Sequence, residues 1–265
     1  MTEPTLKSRE GQTVPDVTFK IRRNNEWATI STDELFKNKN VIVFSLPGAF
    51  TPTCSSTHLP RYNELAPAFR EKGIDSIVCV AVNDPFVMEE WGKDQEAENV
   101  LLLPDGNGAF TEAMGMLVDK SDLNFGKRSW RYSMLVRNKV IEKMFLEPQK
   151  PGDPFEVSDA DTMLHYLDAN AKLPDQVALL SREGCPFCAR AKKLLSEAGY
   201  DFAEIPLPHT IRSKAVGAIA SAQTVPQVFI NGKLIGDSDA LEAWLKQQGR
   251  LGPQRASPEP QRRAA

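Results

Sequence analysis

The residues of this chain best suited to chemistry are its four cysteines, Cys54, Cys79, Cys185 and Cys188. Cys54 lies in SLPGAFTPTCSSTHLP, with Thr51 and Pro52 just before it. Threonine is a good helix N-cap, and proline suits the first helical position because its missing N–H would have had no partner there. Cys54 then falls in the first turn of a helix, where unpaired backbone N–H groups and the positive end of the dipole favour thiolate over thiol. The Thr51 hydroxyl is placed to bond that thiolate or a substrate oxygen. A cation would complete the site, with Arg128 of GKRSWRYSML as first candidate and Arg131 as second. The competing reading is a small buried hydrophobe. That reading is preferred for Cys79, which sits inside the strand-like IVCVAV where a thiol is inert and hard to reach. His58, one turn past Cys54, is expected as a helix residue at the pocket rim rather than as a proton shuttle.

The second chemical motif is Cys185-Pro186-Phe187-Cys188. Pro186 at the first helical position makes Cys185 the N-cap, its sulfur over the exposed helix end. Such a cysteine has a lowered pKa and is the attacking thiol of the pair. Arg182 is placed to draw an anion, while Lys192 and Lys193 read as solvated helix charges. Downstream, in TVPQVFINGKLIGDSDALEAW, Pro226 is a candidate cis-proline. No metal site is expected, because there is a single CxxC and no histidine near it at ligand spacing.

These residues need strands and helices to hold them, and the pattern supplies two sets. In the first, 41–46 is a buried-type strand, a helical pattern over 56–73 follows, and 75–82 is β-rich. Residues 85–95 resume helical spacing, 131–146 form a hairpin about Asn138-Lys139, and 159–171 close with a helix. The pattern then restarts with a strand at 177–181 and a helix at 188–199. An extended stretch at 200–207 leads to a hairpin about Asn231-Gly232 and a last helix capped by Ser238. The expected organisation is a first domain over 1–168, a linker over 169–175, a second domain over 176–249 and a disordered tail over 250–265.

Composition narrows the function classes. The 265 residues carry a formal net charge of -3, so no global basic field points to nucleic acid or an anionic membrane surface. No apolar run is long enough to span a bilayer, and the polar N-terminus gives no expectation of a secretory signal. Catalytic or redox thiols in the cytoplasm are therefore expected over a disulfide framework.

The motif PGAFTPTCSSTHLP, followed in order by VNDPFVMEEW, LLPDGNGAFTEAMGM and KRSWRYSMLV, resembles the peroxiredoxin-5 type of peroxiredoxin. CPFC, TVP and GDSDAL together resemble a glutaredoxin, so the chain is similar to the bacterial fusions of the two. The resemblance implies an α/β fold of two thioredoxin-fold domains. It also implies that Cys54 is the peroxidatic cysteine, that Pro47 shields it, and that Thr51 and Arg128 orient and polarise the peroxide. In the second domain it implies a glutathione groove, with Thr224 and Val225 before Pro226 aligning the tripeptide and Ser238 with Asp239 holding its γ-glutamyl end. The family often has two glycines where this chain has Gly236-Asp237, and a tyrosine where it has Phe187. The expected reaction is reduction of hydrogen peroxide and alkyl hydroperoxides. Glutathione is the electron-donating co-substrate, no cofactor is bound, and glutathione reductase acts indirectly on the oxidised product. A homo-oligomer, dimer or tetramer, is expected. Two alternatives are a peroxide-sensing switch or holdase, and a peroxiredoxin that resolves through Cys79.

Overall fold

A computed structural model describes residues 5–23 and 26–251; the expected tail lies, from residue 252 on, outside the described residues. The chain divides between Lys172 and Leu173 into two compact units.

The first unit runs β1 (Thr18–Arg23), β2 (Glu26–Ser31), α1 (Thr32–Phe36) and β3 (Asn40–Leu46). A π-helical turn (Cys54–His58) then leads into α2 (Leu59–Glu64) and α3 (Ala66–Glu71). There follow β4 (Ser76–Ala81), α4 (Pro85–Asp94), β5 (Val100–Pro104), α5 (Ala109–Ala113), β6 (Leu117–Asp119), β7 (Lys127–Ser129), β8 (Tyr132–Arg137), β9 (Val140–Leu146) and α6 (Ala160–Leu167). The central sheet has five strands in the order β5-β4-β3-β8-β9. β3, β4 and β5 are parallel, and β8 and β9 are added antiparallel.

Strand alternation splits the core between the two faces of this sheet. Val41 and Val43 of β3, Val78 and Val80 of β4, and Tyr132, Met134 and Val136 of β8 enter one cluster. Ile42, Phe44 and Leu46, with Ile77, Cys79 and Leu135, enter the other, together with Cys54 and the apolar face of α2 and α3. The single helix read over 56–73 is thus three pieces. Leu65, at φ -82° and ψ 0°, separates α2 from α3. Pro67 is the reason: it has no N–H for the Asn63 carbonyl, and its ring crowds that turn.

The second unit runs β10 (Val177–Ser181), α7 (Pro186–Glu197), β11 (Ala203–Pro206), α8 (His209–Ala220), β12 (Gln227–Ile230), β13 (Lys233–Gly236) and α9 (Ser238–Gln247). Its sheet has four strands in the order β11-β10-β12-β13. The β12–β13 hairpin turns through Asn231 and Gly232, both at positive φ, as its Asn-Gly signal required. Ser238 is not the cap of α9. Asp237 is, its carboxylate accepting the N–H groups of Asp239 and Ala240, while Ser238 is buried as the first helical residue.

Phe44 is fully buried and stacks on Tyr62 with ring centroids 4.3 Å apart. Phe44→Ala leaves a cavity under the Cys54 helix and is expected to cost about 3–5 kcal/mol of stability. The checking measurement is urea unfolding followed by tryptophan fluorescence.

Candidate active site

Cys54 reaches its place because β3 ends at Leu46 and the chain turns through Pro47, Gly48 and Ala49 at the carboxyl ends of the parallel strands. Crevices at those ends are where open α/β sheets place ligands. Gly48 fits a tight spot: an added Cβ would lie 3.3 Å from Asn83 Oδ1, which accepts the Ala49 N–H at 3.0 Å. The helix starts at Pro52, and Cys54 lies in its first turn with 0% exposure. The Thr51 hydroxyl does not cap this helix. It donates back to the Gly48 carbonyl at 2.8 Å and so tightens the loop before the cysteine.

The cation at the sulfur is Arg131, not Arg128. Arg131 Nη1 lies 3.6 Å from Cys54 Sγ, and the side chain is 1% exposed. Arg128 belongs to β7, which pairs with β6 outside the central sheet. Its guanidinium donates to the carbonyls of Phe125, between β6 and β7, and of Val82, just past the end of β4. The reason is alternation. Arg131 shares its parity with Ser133 and Leu135, and Ser133 lies opposite Phe44 on the face that holds the Cys54 helix. That period-two signal was present in RYSML.

His58 is not at the rim. It is fully buried, with Nε2 3.2 Å from the Ser158 carbonyl and Nδ1 3.0 Å from Arg131 Nη1. A carbonyl can only accept, so Nε2 carries the proton and Nδ1 accepts from the guanidinium. Burial first, and the charge of Arg131 second, hold His58 neutral well below the ordinary histidine range. Arg131 Nη2 meets both carboxylate oxygens of Asp153, at 2.6 and 2.5 Å, and the guanidinium lies over the Phe155 ring at 5.4 Å. Desolvation opposes the arginine charge, but Cys54 and Asp153 outweigh it and raise its pKa. Asp153 and Phe155 were not singled out from sequence, because they sit in an irregular segment with no periodic pattern.

In the second unit Cys185 is the N-cap of α7, its sulfur accepting the Cys188 N–H at 3.2 Å. Burial pushes the Cys185 thiol up. Hydrogen bonds from the Cys188 thiol and from the N–H groups of Cys188 and Phe187, with the charge of Arg182, outweigh burial and bring it down. Cys188 goes the other way, pushed up to about 11 by burial and by Cys185. Beside Cys185 lies a groove of about 470 Å³ lined by Thr224, Val225, Pro226, Ser238 and Asp239, and also by Arg182 and Arg212. The Val225–Pro226 bond is cis. Asp239 is not wholly free for a ligand, since Arg190 pairs with it.

The chain matches the Redoxin family model over residues 9–164 and the Glutaredoxin model over 177–235. It is 59% identical to hybrid peroxiredoxin hyPrx5 of Haemophilus influenzae, over 91% of this chain and all of that protein. The chain belongs to the hybrid peroxiredoxins, a peroxiredoxin joined to a glutaredoxin.

Among solved structures, reduced Prx3 of Vibrio vulnificus in complex with hydrogen peroxide is 42% identical at a TM-score of 0.58, covering 61% of this chain and all of its own. The Plasmodium falciparum antioxidant protein, a 1-Cys peroxiredoxin, is 37% identical at a TM-score of 0.59, covering 62% of this chain and all of its own. This hybrid peroxiredoxin is accordingly an oxidoreductase, a thiol peroxidase with two thioredoxin-like α/β domains. Cys79 lies in β4 with 0% exposure, and burial above all, then the charge of Cys54, holds its thiol well above the ordinary value.

Two outcomes are expected. Arg131→Met lowers kcat/KM for peroxide by about 10²–10³, the effect of removing a preorganised donor, whereas Arg128→Met stays within about threefold. Stopped-flow peroxide consumption checks both. The second outcome concerns acid. An unfolded His58 takes a proton near pH 6.5, while the buried one stays neutral well below that. Stability present above pH 6.5 is therefore lost as pH falls, at up to about 1.4 kcal/mol per pH unit. His58→Gln removes that slope in denaturant titrations between pH 6.5 and 5.

Proposed function

We propose that this hybrid peroxiredoxin is a glutathione-dependent peroxidase acting on hydrogen peroxide and alkyl hydroperoxides. The observation that carries the reading is Arg131 Nη1 at 3.6 Å from Cys54 Sγ, beside a helix start. The Cys54 thiolate attacks one peroxide oxygen and becomes a sulfenic acid, the O–O bond breaks, and the other oxygen takes a proton and leaves as water or the alcohol. The developing charge on the leaving oxygen is met by the guanidinium. Arg131 Nε is buried with no acceptor among the described residues, a donor that a bound oxygen atom would satisfy. The resemblance to the Vibrio Prx3 that binds hydrogen peroxide supports the substrate class.

Glutathione then condenses with the Cys54 sulfenic acid, releasing water. The Cys185 thiolate attacks that mixed disulfide and takes the glutathionyl group, and a second glutathione releases oxidised glutathione, which glutathione reductase recycles. The opposed pKa directions of Cys185 and Cys188 support this assignment of the attacker. The groove beside Cys185 would hold the tripeptide by the main chain of Thr224 and Val225, with Ser238 and Asp239 at its γ-glutamyl end. No bound cofactor is needed. Covalent linkage keeps the reductant at an effective concentration near millimolar. A reducing cytoplasm and a homo-oligomeric assembly complete the proposal.

Steady-state peroxide turnover with glutathione, glutathione reductase and NADPH tests it. Cys54→Ser and Cys185→Ser are expected to lose turnover, while Cys79→Ser keeps it. A fully active Cys185→Ser would remove the internal reductase, and a dead Cys79→Ser would replace the mixed-disulfide route.

A further inference from the structure

We infer that Asp153 is a positioning residue for peroxide reduction, holding Arg131 by one amino group so that the other faces the Cys54 sulfur. The inference rests on Cys54 being the attacking thiol. The guanidinium is a rigid plane, so pinning one nitrogen sets the direction of the rest. Both Asp153 oxygens close on Nη2, at 2.6 and 2.5 Å, and Nη1 is left to Cys54 and His58.

Asp153 is itself placed by a strap. After β9 the chain turns through Gly152, at φ +93°, where a side chain would be strained. The far end of the strap is tied down by Glu147, which is 1% exposed. Its carboxylate accepts the N–H groups of Glu156, Val157 and Ser158 at 2.8–2.9 Å, and the Ser158 hydroxyl at 2.7 Å. The Glu147 backbone donates to the Arg131 carbonyl at 3.2 Å, so the arginine and its strap are fastened to each other. Phe155, on the same strap, packs on His58 with centroids 4.9 Å apart.

The sign of the charge argues for orientation. A carboxylate beside Arg131 works against the thiolate that Arg131 favours, so as an electrostatic element Asp153 would slow the reaction. What it supplies is the angle of the donor, and misplacing a catalytic group by about 1 Å costs roughly 10²-fold.

The test uses the full chain. Asp153→Asn is expected to lower kcat/KM for hydrogen peroxide about 10- to 100-fold. Iodoacetamide, which needs only a thiolate and no aimed donor, is expected to alkylate Cys54 at pH 6 at least as fast as in the parent. Asp153→Glu, which keeps the carboxylate, is expected to stay closer to the parent than the asparagine variant. In an Arg131→Met background, Asp153→Asn is expected to add no further loss. The inference is overturned if Asp153→Asn stays within twofold of the parent, if alkylation falls in step with peroxide reduction, or if the loss persists undiminished without Arg131. Cys54→Ser separates the two levels. If it still consumes peroxide, the reading of Cys54 is wrong. If it is dead while Asp153→Asn is unaffected, only the role of Asp153 is wrong.

Discussion

One buried guanidinium organises the peroxiredoxin unit. Taking a cation out of water costs several kcal/mol, and leaving it unpaired costs more than removing it altogether. Arg131 is 1% exposed, so the fold must bring partners to it. A thiol comes from the first turn of the helix after β3, an imidazole from the next turn, and a carboxylate and a ring from the strap after β9. The helix and the strap are distant in sequence, and they also meet directly at His58, through the Ser158 carbonyl and the Phe155 ring. The arginine is what requires all of them to arrive at one point.

The π-helical turn at Cys54–His58 serves the same demand. It widens the helix where the cysteine and the histidine must both face inward, and such turns are frequent at functional sites. Histidine suits the inner position because it presents two different faces. One nitrogen donates to the Ser158 carbonyl while the other accepts from Arg131. A second cation in its place would repel the arginine.

The glutaredoxin unit solves a similar problem with less. Cys185 sits on a helix end and takes the N–H of Cys188, so backbone dipoles meet its sulfur where a buried arginine meets that of Cys54. Arg182 adds charge from outside the helix. The two thiols of the motif are pushed in opposite directions, Cys185 down and Cys188 up.

Much of this was legible beforehand because it is local. A proline after a cap position, an Asn-Gly turn and a cysteine inside an apolar run each act within a few residues, and Cys185, Asn231 with Gly232, and Cys79 stand where those rules put them. Errors arose where neighbouring polar groups compete within one turn, and where a residue's partner is remote. Thr51 chose the Gly48 carbonyl over the helix end, Asp237 displaced Ser238 as cap, and Arg131 displaced Arg128. The last was half visible, since Arg131 shares the parity of the β8 residues that face the Cys54 helix, whereas Arg128 lies in β7, outside the central sheet. Sequence by itself determined the two units and the cysteine at a helix start in each, because propensity and spacing act at short range. Only the tertiary structure decided which cation meets the sulfur and which carboxylate aims it. Those choices depend on sheet faces and a returning strap, and desolvation makes them binding only after the chain has closed around them.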